Sequence, residues 1–187
     1  WEAGSERYSW EQPAEVRAEL YRAHAIEGAD TFFVEADTTT GVNLRFALSH
    51  TGTGAGTHAE TVLCYKATIR YIVGLHAEVR WNDGRVERIT LDEFDGLAEN
   101  HLDYYRYLRG ESPRPATLLT DTRPFVALND LAHVSSGQIA PFPTALVSGA
   151  RDAKEQKDYV NVAGMPAAQE NFLVRGTWPS TNGWTRP

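Results

Sequence analysis

The chain has 187 residues, of which 42% are hydrophobic, and it carries five Trp, eight Tyr and seven Phe. This composition predicts one folded domain with a real core, because disordered chains are poor in aromatic residues. A net charge of −7 with interleaved signs argues against a nucleic-acid partner, and the absence of a long apolar run argues against a membrane span. Cys64 is the only cysteine, which excludes an intrachain disulfide, and we expect a cytoplasmic protein.

Alternating apolar and polar residues predict strands through the first half of the chain. The period of two over residues 14–22 is typical of a strand with one wet face. Two further strands, at 31–36 and 42–48, enclose turn residues and predict a hairpin. Four more are expected at residues 60–64, 67–73, 77–81 and 85–91. We expect Cys64 to lie in the core, as small thiols in apolar runs usually do.

The hydrophobic period then changes from two to three or four. Residues 92–109 predict a helix that ends before Gly110, and a second helix is expected from Phe125 to about Ser135, with Pro124 in its first turn. Strands followed by helices indicate an α+β fold, with an open, largely antiparallel sheet and helices packed on one face.

The predicted domain organisation is simple. Residues 1–143 are expected to form a sheet-plus-helices domain for substrate binding and oligomerisation. Residues 144–187, which are rich in Pro and Gly, predict an irregular tail packed on the same domain, with Trp178 and Trp184 as anchors.

The stretch 52–56, Gly-Thr-Gly-Ala-Gly, suggests a phosphate-binding loop, but no helical pattern follows it, so a hairpin loop is favoured. His50 and His58 flank this stretch and are candidate substrate-binding residues. Together with Glu60 they could hold a divalent metal, although nothing in their spacing sharpens that alternative, and we expect no metal site.

Two clusters near the first helix have structural explanations. Acidic residues at its start are expected to interact with the helix dipole rather than to act as catalytic carboxylates. Its aromatic residues, including His101 and Tyr105, are expected to pack on the sheet. We therefore predict no catalytic residue in this chain.

Residues 105–143, YRYLRGESPRPATLLTDTRPFVALNDLAHVSSGQIAPFP, resemble the end of Gfo/Idh/MocA oxidoreductases. The likeness consists of a helix ending in Arg-Gly, a Pro-bearing loop, and a helix with a central Asn and a Ser-Gly exit. The upstream strands fit the same domain, so the resemblance extends over about residues 14–143.

This resemblance implies a parent enzyme in which an amino-terminal Rossmann domain binds NAD or NADP, and in which the present domain covers the active site. Such enzymes act on sugars, cyclitols and related polyols with a Lys and commonly a His as acid and base. The family lysine precedes a proline, whereas Lys66, Lys154 and Lys157 do not. The helix that bears the family His has no counterpart either. The chain alone is expected to bind no cofactor and to be inactive.

The implied partners are the chain's own Rossmann domain, a small polar substrate, and further copies that associate through the open sheet face. Trp1 is not an initiator, so we expect a piece of a longer protein. The alternative is a free-standing module for binding a small ligand or for assembly, without catalysis. A hydrolase built on His50 or His58 is a third hypothesis.

Overall fold

The computed structural model describes residues 11–52, 58–90, 95–153 and 156–186. The chain divides into two compact units, the first comprising Trp1–Gly54 and Leu119–Pro187 and the second Ala55–Leu118. Among the described residues, no helix has the length and apolar character needed to cross a bilayer.

The described residues contain both strands and helices, and each of the seven predicted strands is present to within two residues. The strands are β1 (Pro13–Arg22), β2 (Thr31–Thr38), β3 (Asn43–Ser49), β4 (Ala59–Leu63), β5 (Ala67–Ile72), β6 (His76–Trp81), β7 (Val86–Thr90), β8 (Ile139–Pro141), β9 (Val147–Asp152) and β10 (Lys157–Val162). The α-helices are α1 (Gly96–Leu108), α2 (Arg123–Ser136) and α3 (Met165–Arg175).

The first unit is built on a four-stranded sheet with the order β3-β2-β1-β8. β1, β2 and β3 are antiparallel, and β8 runs parallel to β1. Because side chains alternate along a strand, even-numbered residues of β1 and β2 face one side of this sheet and odd-numbered residues face the other. Leu20 and Val34 therefore belong to one core cluster, and Tyr21 and Phe33 belong to another.

Helix α2 covers the face that carries Leu20, and it buries Ala132 against the sheet. The helix ends in two serines that complete the hydrogen bonding of β1. Ser135 Oγ accepts from the Ala18 N–H and Ser136 Oγ accepts from the Leu20 N–H, each at 3.1 Å. The two serines thus satisfy the amides of Ala18 and Leu20, which lie just before and at the start of the short pairing of β1 with β8.

The opposite face is covered by the carboxyl-terminal segment, and this corrects one expectation. Residues 144–187 were predicted to be irregular, yet they contain β9, β10 and α3. Phe172 of α3 is completely buried, and Trp178 and Trp184 pack against the same aromatic cluster. The prediction failed because β9 (Val-Ser-Gly-Ala-Arg-Asp) and β10 (Lys-Asp-Tyr-Val-Asn-Val) lack a regular alternation of apolar and polar residues, and because α3 is only weakly amphipathic.

The second unit contains the antiparallel sheet β4-β5-β6-β7 and helix α1. An Asn-Asp-Gly turn joins β6 to β7, where Gly84 has φ +91°, a conformation that favours glycine. Asp95 caps α1 by accepting hydrogen bonds from the Leu97 and Ala98 N–H groups. Asp92, Glu93 and Phe94 lie outside the described residues.

Two predictions of burial in this unit were wrong. Cys64 is exposed, because it follows the edge strand β4, whose residues are all exposed. Helix α1 has no buried residue, and Tyr105 is 55% exposed. Periodicity identified the apolar face of this helix, but none of the described residues of the second unit buries that face.

Candidate functional site

A chain of hydrogen-bonded polar side chains lies at one end of the first sheet, where β1 ends, β2 begins and β3 ends. Asp30 is 4% exposed, and it lies at the end of the loop from β1. Its Oδ2 accepts from the Ala23 and His24 N–H groups, each at 2.8 Å, and from the His24 ring at 2.7 Å. The chain continues from Asp30 Oδ1 through the hydroxyls of Thr31, Ser49 and Thr51.

The cluster is preorganised by the pairing of β2 with β3, which places Thr31 directly opposite Ser49. Burial by itself raises the pKa of the Asp30 carboxyl. The hydrogen bonds from the His24 N–H and ring, from the Ala23 N–H and from Thr31 outweigh burial, so the net pKa is lowered. Asp30 is therefore a buried carboxylate that stays ionised.

The His24 ring is held in one orientation by this carboxylate. Because a carboxylate can only accept, the hydrogen between the two groups belongs to Nδ1, and Nε2 of the neutral ring is an acceptor. The His24 side chain is 32% exposed, so its ring is not fully enclosed. Such a group can accept a hydrogen bond or a proton from the hydroxyl of a ligand.

His50, one of the two predicted site residues, lies beside this cluster. Its N–H donates to the Asp30 carbonyl oxygen at 2.9 Å, and its side chain is exposed. His58 belongs to the second unit, where its Nε2 lies 3.8 Å from Glu60 Oε1 and both side chains are mostly exposed. An exposed pair of this kind contributes little to stability. Among the described residues, no cluster of three His, Cys, Asp or Glu suits a metal ion.

The glycine-rich stretch falls largely on residues 53–57, which lie outside the described ranges. Gly52 is described, and its N–H donates to the Val160 carbonyl oxygen at 2.9 Å, so this amide is not available to a phosphate. The described strands pair antiparallel except for β1 with β8, and no βαβ unit opens with a glycine-rich turn among them. The described residues therefore do not fit a dinucleotide.

A second buried carboxylate, Glu19, fastens the carboxyl-terminal segment to β1. It accepts from the Tyr21 hydroxyl at 2.7 Å, from the Ser180 N–H at 3.0 Å and from the Ser180 hydroxyl. Burial, reinforced by the bond to Glu19, raises the pKa of Tyr21 far above its usual value, so the phenol stays protonated. All the partners of Glu19 are internal, and its role is structural.

The pair of His24 and Asp30 was missed at the sequence level. The two residues are six apart in a loop, a spacing that matches neither a helical turn nor a strand face. Only the fold of the loop brings the ring to the carboxylate. A weak signal existed in the placement of Asp30 just before the apolar run of β2.

Comparison with known proteins identifies the fold. No family model and no curated protein matches the sequence. Among solved structures, UDP-N-acetylglucosamine 3-dehydrogenase GnnA from Acidithiobacillus ferrooxidans superimposes with a TM-score of 0.57 and 17% sequence identity. The match covers 67% of this chain and 41% of GnnA. A second crystal form of GnnA gives the same TM-score and covers 40% of that chain.

The chain thus shares the fold of part of GnnA, which agrees with the resemblance drawn over residues 105–143. The α+β class is confirmed by the same likeness. The chain spans less than half of the length of GnnA.

Proposed function

We propose that this chain is the substrate-binding and oligomerisation domain of an NAD(P)-dependent oxidoreductase that acts on a sugar, cyclitol or related polyol. The observation that carries the proposal is the fold shared with part of GnnA, whose name describes a dehydrogenase that acts on a sugar nucleotide. Because the described residues do not fit a dinucleotide, the nicotinamide site belongs to a Rossmann domain of the parent protein, and the chain is inactive alone.

Within this function, the end of the first sheet supplies part of the substrate wall. His24 offers an acceptor at Nε2 on a ring fixed by Asp30. His50 has an exposed side chain, and its backbone N–H donates to the Asp30 carbonyl oxygen. Acceptors of fixed orientation suit the hydroxyl groups of a polyol, since each hydroxyl can donate one hydrogen bond. His58 remains a second candidate, on the rim of the other unit.

The oligomerisation role rests on the sheet of the second unit. Its register places Val62, Ile69 and Val79 in one row that ends in Glu87, and Tyr71, Ala77 and Ile89 in the next row, which begins with Glu60. We call the six apolar residues of these two rows the apolar face. Val62 is 53% exposed and Ile89 is 46% exposed, so the described part of the chain leaves this face partly open. A second copy would remove this surface from water.

Two measurements test the proposed function. The gene sequence upstream of the Trp1 codon should encode a glycine-rich βαβ unit and a Glu-Lys-Pro segment. The purified 187-residue chain should show no NADH or NADPH turnover with sugars or inositols, whereas the complete gene product should show it. A reading frame that opens within a few codons of Trp1, or turnover by the isolated chain, contradicts the proposal.

The substrate wall is tested in the complete gene product with His24→Asn. Asparagine can keep the bond to Asp30 but removes the Nε2 acceptor. We expect KM for the sugar substrate to rise about tenfold, which corresponds to one lost hydrogen bond to a ligand. His101→Asn, on the exposed helix α1, is the matched control and should leave KM unchanged.

If the complete gene product binds a polyol and associates but never oxidises nicotinamide, the alternative of a free-standing binding module is correct instead.

A further inference from the structure

A shallow cavity of about 390 Å³ lies on the α2 side of the first sheet, where β1 ends. Its lining includes two apolar residues, Ile139 and the fully buried Leu20, and the polar residues Arg22, Glu27, His133 and Gln138. Its volume is near the lower end of the range for small-molecule sites. Nothing in the proposed oxidoreductase function uses this cavity.

The polar groups of the cavity are held in place by contacts with the backbone. Arg22 Nη1 donates to the carbonyl oxygens of Ile26 and Glu27, at 2.7 and 3.2 Å, which orients the guanidinium. His133 Nδ1 donates to the Asn129 carbonyl oxygen at 2.9 Å, so Nε2 of the neutral ring is an acceptor. The rings of Phe32 and His133 pack edge to face, with their centroids 5.8 Å apart.

The cavity carries two opposite charges that are not paired. Over the described ranges of the chain, neither Arg22 nor Glu27 makes a salt bridge, with the other or with a third residue. The two charges in the cavity are left to water or to a ligand.

We propose that this cavity binds a small zwitterion, an α-amino acid with an apolar side chain. The guanidinium of Arg22 would take the carboxylate, and Glu27 with His133 Nε2 would take the ammonium group. Ile139 would contact the side chain of the amino acid. Binding of a neutral polyol would displace water from both charges without replacing it by charge pairing, and a phosphate would be repelled by Glu27.

Calorimetric or NMR titration of the purified chain tests the proposal. The probes are L-leucine, N-acetyl-L-leucine, L-leucinamide, myo-inositol and inorganic phosphate. We expect saturable binding of leucine alone, because each derivative lacks one of the two charges. No binding of leucine, or equal binding of the acetyl, amide, inositol or phosphate probe, overturns the proposal.

Variants locate the binding. Glu27→Gln keeps the shape of an exposed side chain and should weaken leucine binding about tenfold or more. Glu170→Gln, on the exposed side of α3, is the control and should have no effect. Unchanged affinity in Glu27→Gln overturns the proposal. The test needs no nicotinamide turnover, so its result is independent of the proposed oxidoreductase function.

Discussion

Asp30 organises the loop between β1 and β2 through four hydrogen bonds to one carboxyl group. Asp30→Asn keeps the size of the side chain but removes its charge. We expect the free energy of unfolding to fall by about 1–3 kcal/mol, as measured by urea denaturation. The matched control is Asp37→Asn on the same hairpin, where the side chain is exposed and accepts one hydrogen bond, from Asn43. Equal losses in the two variants would show that Asp30 has no special role.

The same carboxyl predicts an acid dependence of stability. Its pKa is lowered by folding, so its contribution is fully present above the unfolded-state pKa of about 3.9 and is lost as the pH falls through the lower folded-state value. Wild type should therefore lose more unfolding free energy than Asp30→Asn when the pH falls below about 4. Parallel pH profiles for the two proteins, measured by urea denaturation, would contradict this expectation.

At the scale of elements, the end of α2 and the strand β1 depend on each other. Ser135→Ala leaves the Ala18 N–H without its acceptor, and Ser136→Ala does the same for the Leu20 N–H. Each change should cost about 1 kcal/mol of unfolding free energy, and hydrogen exchange of the affected amide should accelerate. Ser148→Ala, on the exposed surface of β9, should change neither quantity. Unaltered exchange at Ala18 and Leu20 would refute the pairing.

The two faces of the second sheet differ in chemistry, and this difference allows a test of association. Ile89 belongs to the apolar face, whereas Val86, three residues earlier on β7, belongs to the opposite face with Glu78 and Arg88. If copies associate through the apolar face, Ile89→Asp should dissociate the oligomer in sedimentation experiments. Val86→Asp adds the same charge to a residue of 59% exposure and should leave the oligomer intact. A monomeric wild type would contradict the proposed assembly.

At the scale of the whole molecule, the first unit requires its carboxyl-terminal segment. Phe172 is fully buried against Phe33 and Trp178, with ring centroids 5.5 and 4.7 Å away. Phe172→Ala should lower the free energy of unfolding by about 3–5 kcal/mol, whereas Leu173→Ala, at a half-exposed neighbouring position, should cost far less. Removal of residues 144–187 should prevent the first unit from folding. A truncated chain with cooperative unfolding would refute this dependence.

Only part of the candidate site could be predicted from the sequence. His50 was selected because it precedes a glycine-rich loop, and it does lie beside the buried Asp30. His24 and Asp30 carried no spacing signal, since loop conformation alone joins them. The acidic residues at the start of α1 were expected to interact with the helix terminus, and Asp95 does so as the N-cap, which is a local feature of the sequence.

The sequence by itself determined the α+β class, the first seven strands and the first two helices, because hydrophobic period and turn chemistry are local properties. Only the tertiary structure decided which apolar faces are covered. Phe172 and Trp178 fill the core from a segment without clear periodicity, while Cys64 and Tyr105 remain exposed despite apolar patterns. A hydrophobic pattern indicates which side of a helix or strand is apolar. Burial of that side depends on residues distant in the chain that pack against it.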